Sequence, residues 1–201
     1  MAVPRIRAAV LALHWQVNVI KPEGFFGPIF GAPVAKSGVV PRAVAFHRAA
    51  LDRSVPVLFT RFTIPVGEGE LVRNTGFMRS VGAAQTELRP DSPGSQLIPE
   101  MSDQATEVFD NQKLSGLAGN RAAAWLTERG IDTLFVTGVA TNVTVEQTAR
   151  HATDLGFTVY PVSDCAAAMT EEMHTASLAS LELVTNGCRT AAEALELLDA
   201  R

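Results

Sequence analysis

Cysteine is nearly absent from this chain: only Cys165 and Cys188 occur in 201 residues. Neither belongs to a CxxC pair or a Cys/His ligand cluster, which argues against a disulfide framework or a zinc knot. Both lie in segments that read as the ends of late strands, and a reduced, cytoplasmic setting is expected. Runs of basic residues are missing too. The 17 Lys and Arg are scattered among 21 Asp and Glu, for a formal net charge of -4, so no electrostatic footprint for nucleic acid or an anionic membrane is visible. No apolar stretch is long enough to span a bilayer. The opening MAVPRIRAAVLALHWQ places basic residues before an apolar run, but that run is shorter than a secretory h-region. No small-residue cleavage pattern follows it, and it reads as a first buried strand. Histidines are four, and none of His47, His151 and His174 makes a metal-ligand spacing with another His, Asp or Glu. No metal and no cofactor are expected.

What is present is apolar: 47% of the residues are hydrophobic, enough for one sizeable core, and residues 1–201 are expected to form a single domain. Short apolar runs alternate with longer segments of helical period, the signature of βαβ units and a parallel sheet. Strands are expected at residues 6–13, 55–61, 106–110, 133–137 and 157–162, with a sixth near Leu183. Helices are expected over 41–53, 121–129, 141–155, 171–181 and 191–199, with Gly130 and Gly156 closing two of them. The fold class is α/β: a three-layer αβα sandwich around a doubly wound parallel sheet of about six strands. Two stretches break the rhythm, the Gly/Pro-rich segment 21–41 and the long passage 63–101. Loops of that length are lids, oligomer contacts or substrate walls, or else plain irregular surface.

Three landmarks carry a resemblance. Strand one ends in AAVLALHWQVN; the third strand leads into Asn111-Gln112-Lys113-Leu114-Ser115-Gly116-Leu117-Ala118-Gly119-Asn120; and the fourth opens VTGVATNVTVEQTARHATDLGFTVYPVSDCAAA. Together they resemble the isochorismatase-like cysteine hydrolases. That family ends its first strand in an Asp, one residue and a Gln; it follows strand three with K-x-x-x-S-x-F-x-G-T, and strand four with G-V-A-T-x-x-C-V-x-x-T-A-x-x-A. Gln16, Ser115 and Gly119 match. His14 stands at the Asp position, Asn111 at the Lys position and Thr144 at the Cys position. The resemblance covers about residues 6–183 and implies strand order 3-2-1-4-5-6. It also implies a homo-oligomer, a small-molecule substrate, and a cis peptide at Val139-Ala140 that leaves the Ala140 and Thr144 N–H groups as an oxyanion hole.

In such a sheet strands one and four are neighbours, and ligands bind outside their carboxyl ends. His14 and Thr144 both have that address, with Thr144 in the first turn of a helix whose N-terminus favours a developing anion. A Thr hydroxyl needs an adjacent base to act as a nucleophile, and His14 can supply one near neutral pH. The plainer readings are that Thr144 is a first-turn residue bonded to backbone and His14 a structural histidine. Losing Lys alone or Asp alone would strand a buried charge, whereas His14 and Asn111 remove both together. Lys113 is either a displaced substitute cation or solvent-facing. Trp15, Gln16, Phe62 and Phe109 sit near the expected crevice, where aromatic residues line a pocket or simply fill core. Two functions follow: an enzyme acting on a small organic molecule through non-thiol chemistry with His14 as acid or base, or an inactive relative serving as a small-molecule binder or structural subunit.

Overall fold

A computed structural model of the chain describes residues 7–200; Ile6, where the first strand was expected to begin, lies outside them. Five strands, β1 (Ala8–Leu13), β2 (Val57–Phe62), β3 (Glu107–Asn111), β4 (Thr133–Val139) and β5 (Thr158–Ala167), form one sheet of order β3-β2-β1-β4-β5. Every pairing is parallel. Central β1, AAVLAL, is buried along its whole length, as a strand covered on both faces must be. Its side chains alternate between two cores. Ala8, Val10 and Ala12 join one, while Ala9, Leu11 and Leu13 join the other.

Helices cover both faces. On the first, α3 (Val39–Asp52) contributes Phe46 and Ala50, and α8 (Ala191–Asp199) contributes Ala194 and Leu198. On the second, Leu126 of α5 (Ala122–Glu128), Ala149 and Ala152 of α6 (Glu146–Asp154) and Leu181 of α7 (Glu171–Val184) pack together. Their starts follow sequence signals: Thr170 caps α7 through the Met173 amide, and Thr190 with Glu193 forms a complete capping box on α8.

Three expectations are corrected. The sixth strand near Leu183 is the last turn of α7, with Leu183 85% exposed. A short apolar run does not by itself separate strand from helix, and beyond β5 only a single bridge, Val162 to Arg189, continues the sheet. The irregular segment 21–41 holds α1 (Val17–Ile20) just before it and α2 (Gly27–Ser37) within it; Gly38, at φ 64°, turns the chain from α2 directly into α3. The passage 63–101 contains α4 (Gly76–Ala83), capped by the Thr75 hydroxyl, and two 3-10 turns. Among the described residues no helix is long and apolar enough to cross a membrane.

Candidate functional site

Two backbone features shape the carboxyl edge of the sheet. Directly after β1, His14 adopts a left-handed conformation, φ 56°, which is uncommon for any residue but glycine. Its N–H stays tied to the Thr60 carbonyl of β2 at 3.0 Å. Beside it, Gly138 of β4 has φ 144°, and a Cβ there would lie 2.4 Å from the Leu13 carbonyl oxygen. Only glycine lets β4 pass so close to the end of β1. The next peptide, Val139–Ala140, is cis, as the resemblance implies.

The helix expected over 141–155 begins as one π turn, Thr141–Val145, before α6. The Ala140 carbonyl accepts the amides of Val143 and Val145, those on either side of Thr144. From α7, His174 shares a 2.8 Å hydrogen bond with the Thr141 hydroxyl, and the Ser177 hydroxyl lies against both the Thr141 carbonyl and Glu146. The turn is therefore bolted to two helices.

A small, partly open cavity of about 70 Å³ lies here. Its floor is His14, Val139, Ala140 and Thr144. Its walls are almost entirely carbon: Val19 of α1, Phe26 just before α2 and Phe30 within it, Phe62 of β2, Phe77 and Val81 of α4, then Leu114 and Val143. Thus the two segments that broke the sequence rhythm supply wall residues that sequence reasoning did not name. The one available signal was the presence of apolar Phe25, Phe26, Phe30 and Phe77 in stretches otherwise read as loop.

His14 is buried, and its Nε2 has no hydrogen-bond partner. Burial pushes the imidazole down from its ordinary 6.5 to about 4, and the neighbouring Asn111 side chain only partly opposes this. The ring is thus neutral at physiological pH, with the edge of Phe62 6.2 Å away. Asn111 is fully buried and donates from Nδ2 to the carbonyls of Lys113 and Ser115, both at 2.9 Å. Its Oδ1 has no partner, and neither does Thr144 Oγ1. Native structures leave few buried polar groups unmatched, yet three of them belong to His14, Asn111 and Thr144.

The remaining candidates separate. Phe62 and Ala140 line the cavity, and so does Lys113, whose ammonium lies 3.8 Å from the Glu70 carboxylate. Trp15 does not line it: it is wholly buried in the core, donating from Nε1 to the Thr137 hydroxyl at 3.3 Å. Gln16 is a strand-end clamp, donating to the Phe62 and Ser95 carbonyls and accepting the Phe62 amide at 2.6 Å. Phe109 faces the opposite core and packs edge-on to Trp125. The left-handed turn at His14 breaks the alternation of β1, and Trp15 joins the same core as Ala8, Val10 and Ala12.

Beneath the site lies a second buried histidine. His47 Nε2 shares a 2.9 Å hydrogen bond with the Thr137 hydroxyl. That hydroxyl accepts from the Trp15 indole and keeps a second lone pair and one proton for His47. A neutral ring that donates from Nδ1 toward Gln104 and accepts at Nε2 fits both neighbours. Burial holds its pKa at about 3, opposed in part by Gln104. Among the described residues no group of three or more His, Cys, Asp or Glu is placed to hold a metal. Arg61 of β2 makes a two-pronged ion pair with Asp110 of β3 at 2.7 and 3.0 Å.

Comparison with known proteins agrees with this fold. The chain is 31% identical to Nicotinamidase 3 of Arabidopsis thaliana over 133 residues, 64% of this chain and 63% of that protein. It is 32% identical to the isochorismatase family protein YwoC of Bacillus subtilis over 103 residues, 51% of this chain and 54% of that one. These matches therefore span between half and two thirds of each relative. The solved structure of an isochorismatase family protein from Desulfovibrio vulgaris superposes with a TM-score of 0.81 at 20% identity, covering 98% of this chain and 100% of that one. The sequence pattern of the Isochorismatase domain matches residues 8–193, and the chain belongs to the isochorismatase family of hydrolases.

Proposed function

We propose that this protein is a small-molecule hydrolase of that family in which proton transfer falls to His14, with Asn111 and Thr144 beside it where relatives keep Lys and Cys. The observation that supports this is the set of three unpartnered buried atoms, His14 Nε2, Asn111 Oδ1 and Thr144 Oγ1. Unmet polar groups are costly to keep in a folded core, and such sites are where a ligand completes the bonding. Chemically, neutral His14 acts as a general base. A water oxygen bonds to the electrophilic carbon of the substrate, its proton passes to the imidazole, and the imidazolium returns that proton to the leaving group. The Ala140 and Thr144 amides face the oxygen that gains charge. Thr144 contributes mainly through its backbone.

A second reading, a binder without turnover, draws on one specific feature. No carboxylate lines the cavity, so nothing there steadies an imidazolium, and burial disfavours it. Assay of the protein against a panel of small esters and amides separates the two. The hydrolase reading expects turnover that falls about a hundredfold or more in His14→Ala, the usual size of a lost base, and less in Thr144→Val. Near-normal turnover in folded His14→Ala, or greater damage from Thr144→Val, overturns the assignment; no turnover with any compound favours the binder.

A further inference from the structure

The charge and hydrogen-bonding polarity of the cavity restrict what can enter it. We propose that it takes an uncharged molecule with a compact apolar body and one O–H or N–H donor, and rejects carboxylates. The proposal rests on the reading above only in taking this cavity as the ligand site.

Charge comes first. The only charged residue on the lining is Lys113, and its ammonium is matched by Glu70 at 3.8 Å. His14 is buried and faces an aromatic edge, with no acid beside it. Phe26, Phe30, Phe62, Phe77 and Val81 offer carbon. A carboxylate entering here loses its water among carbon walls and can gain a counter-ion only by drawing Lys113 away from Glu70, which is unfavourable beside an uncharged donor that needs neither.

Hydrogen-bond polarity comes second. Both hydrogens of the Asn111 amide are engaged by the Lys113 and Ser115 carbonyls, so Oδ1 can only accept. Asn111 is wholly buried behind the lining, so its acceptor falls to His14: the imidazole donates to Oδ1 and turns its other nitrogen, a lone pair, toward the ligand. The ligand therefore meets an acceptor. Thr144 Oγ1 is free to accept or donate and can receive the oxygen end of the same group. An ether of equal shape has nothing to give and leaves a buried acceptor unmet, and sites built around a donor reject analogues that lack it.

The test is a matched set of probes: benzyl alcohol, its isomer anisole (methyl phenyl ether) and benzoate, titrated into the intact protein at pH 7.5 and followed by NMR shifts of cavity methyl and aromatic signals. Saturable binding of benzyl alcohol is expected, with the ether about tenfold weaker or more and benzoate weaker still. In His14→Phe, which leaves the Asn111 anchors in place, alcohol and ether should bind alike. Asn111→Leu should show the same levelling if it folds. Benzoate binding as tightly as the alcohol, an ether equal to the alcohol in the unaltered protein, or no binding by any probe overturns the proposal. Selective alcohol binding without turnover of any ester or amide leaves it standing and removes the hydrolase reading instead.

Discussion

Acid should loosen this protein well before its carboxylates titrate, because two imidazoles are buried neutral. His14 and His47 have folded pKa values of about 4 and about 3, against an ordinary 6.5. For both, the unfolded chain binds a proton that the folded chain refuses. Their contribution to stability is therefore complete above pH 6.5, declines as pH falls through the window toward 4 and 3, and stops changing below it. Between pH 7 and pH 5 the loss depends almost wholly on the unfolded value, since both folded values lie under 5. Each ring then removes about 2 kcal/mol, or about 4 kcal/mol together. The source is the same in both: burial takes water from the charged ring, and the Asn111 and Gln104 side chains only partly make up for it. Half-buried His174, likewise lowered by burial, acts in the same direction. Urea unfolding at pH 7, 6 and 5 measures the effect. His14→Gln and His47→Gln should each remove about half of the pH dependence, whatever they do to stability at pH 7. A flat profile in the unaltered protein, or an unchanged slope in both variants, would refute the reasoning.

Other outcomes follow from particular contacts. Burial, with Asp164 adding to it, pushes the Cys165 thiol well above its ordinary range, and burial with Glu182 lifts Cys188 to about 11; the double variant Cys165→Ser, Cys188→Ser should keep any turnover that is found, measured with the same ester and amide panel. Gly138→Ala forces a Cβ to within 2.4 Å of the Leu13 carbonyl and should cost about 1 to 3 kcal/mol in a denaturant titration, the range for a strained backbone position. Light scattering at micromolar concentration should report a homo-oligomer, in line with the exposed apolar side chains of Phe25, Ile29 and Phe77; a strict monomer counts against that expectation.

Much of the architecture was legible because central parallel strands are apolar throughout and crossover helices carry a period their residues cannot hide. Residues 8–13 and 133–139 could hardly be anything but buried strands, and the 141–155 segment sat where its Thr-Asn-Val-Thr opening meets the helix. Legibility failed where one residue changes the rule. Pro33 lies inside α2 and, with the surrounding glycines, disguised that helix as loop, although its local hydrogen bonds tolerate the interruption. His14 was placed at the sheet edge from its position, but no pattern in AAVLALHWQ announces its positive φ. Its place at the end of β1 put Trp15 near the expected crevice, whereas the indole turns into the core and reaches Thr137. Phe62 was placed at the crevice from its position at the end of β2, but spacing could not find Phe26 and Phe77, which come from two distant segments that meet only in the folded chain.

The most direct test is the charge on His14 itself. In protein labelled with nitrogen-15 on its histidine rings, the His14 signals, assigned by their loss in His14→Gln, can be followed from pH 8 to pH 5. A ring that stays neutral over that whole range, as burial with a pKa near 4 requires, supports an uncharged site in which His14 accepts a proton only from a bound reactant. A titration with its midpoint between pH 6 and 7 would show an imidazolium tolerated in the empty cavity, contradicting the uncharged site described above.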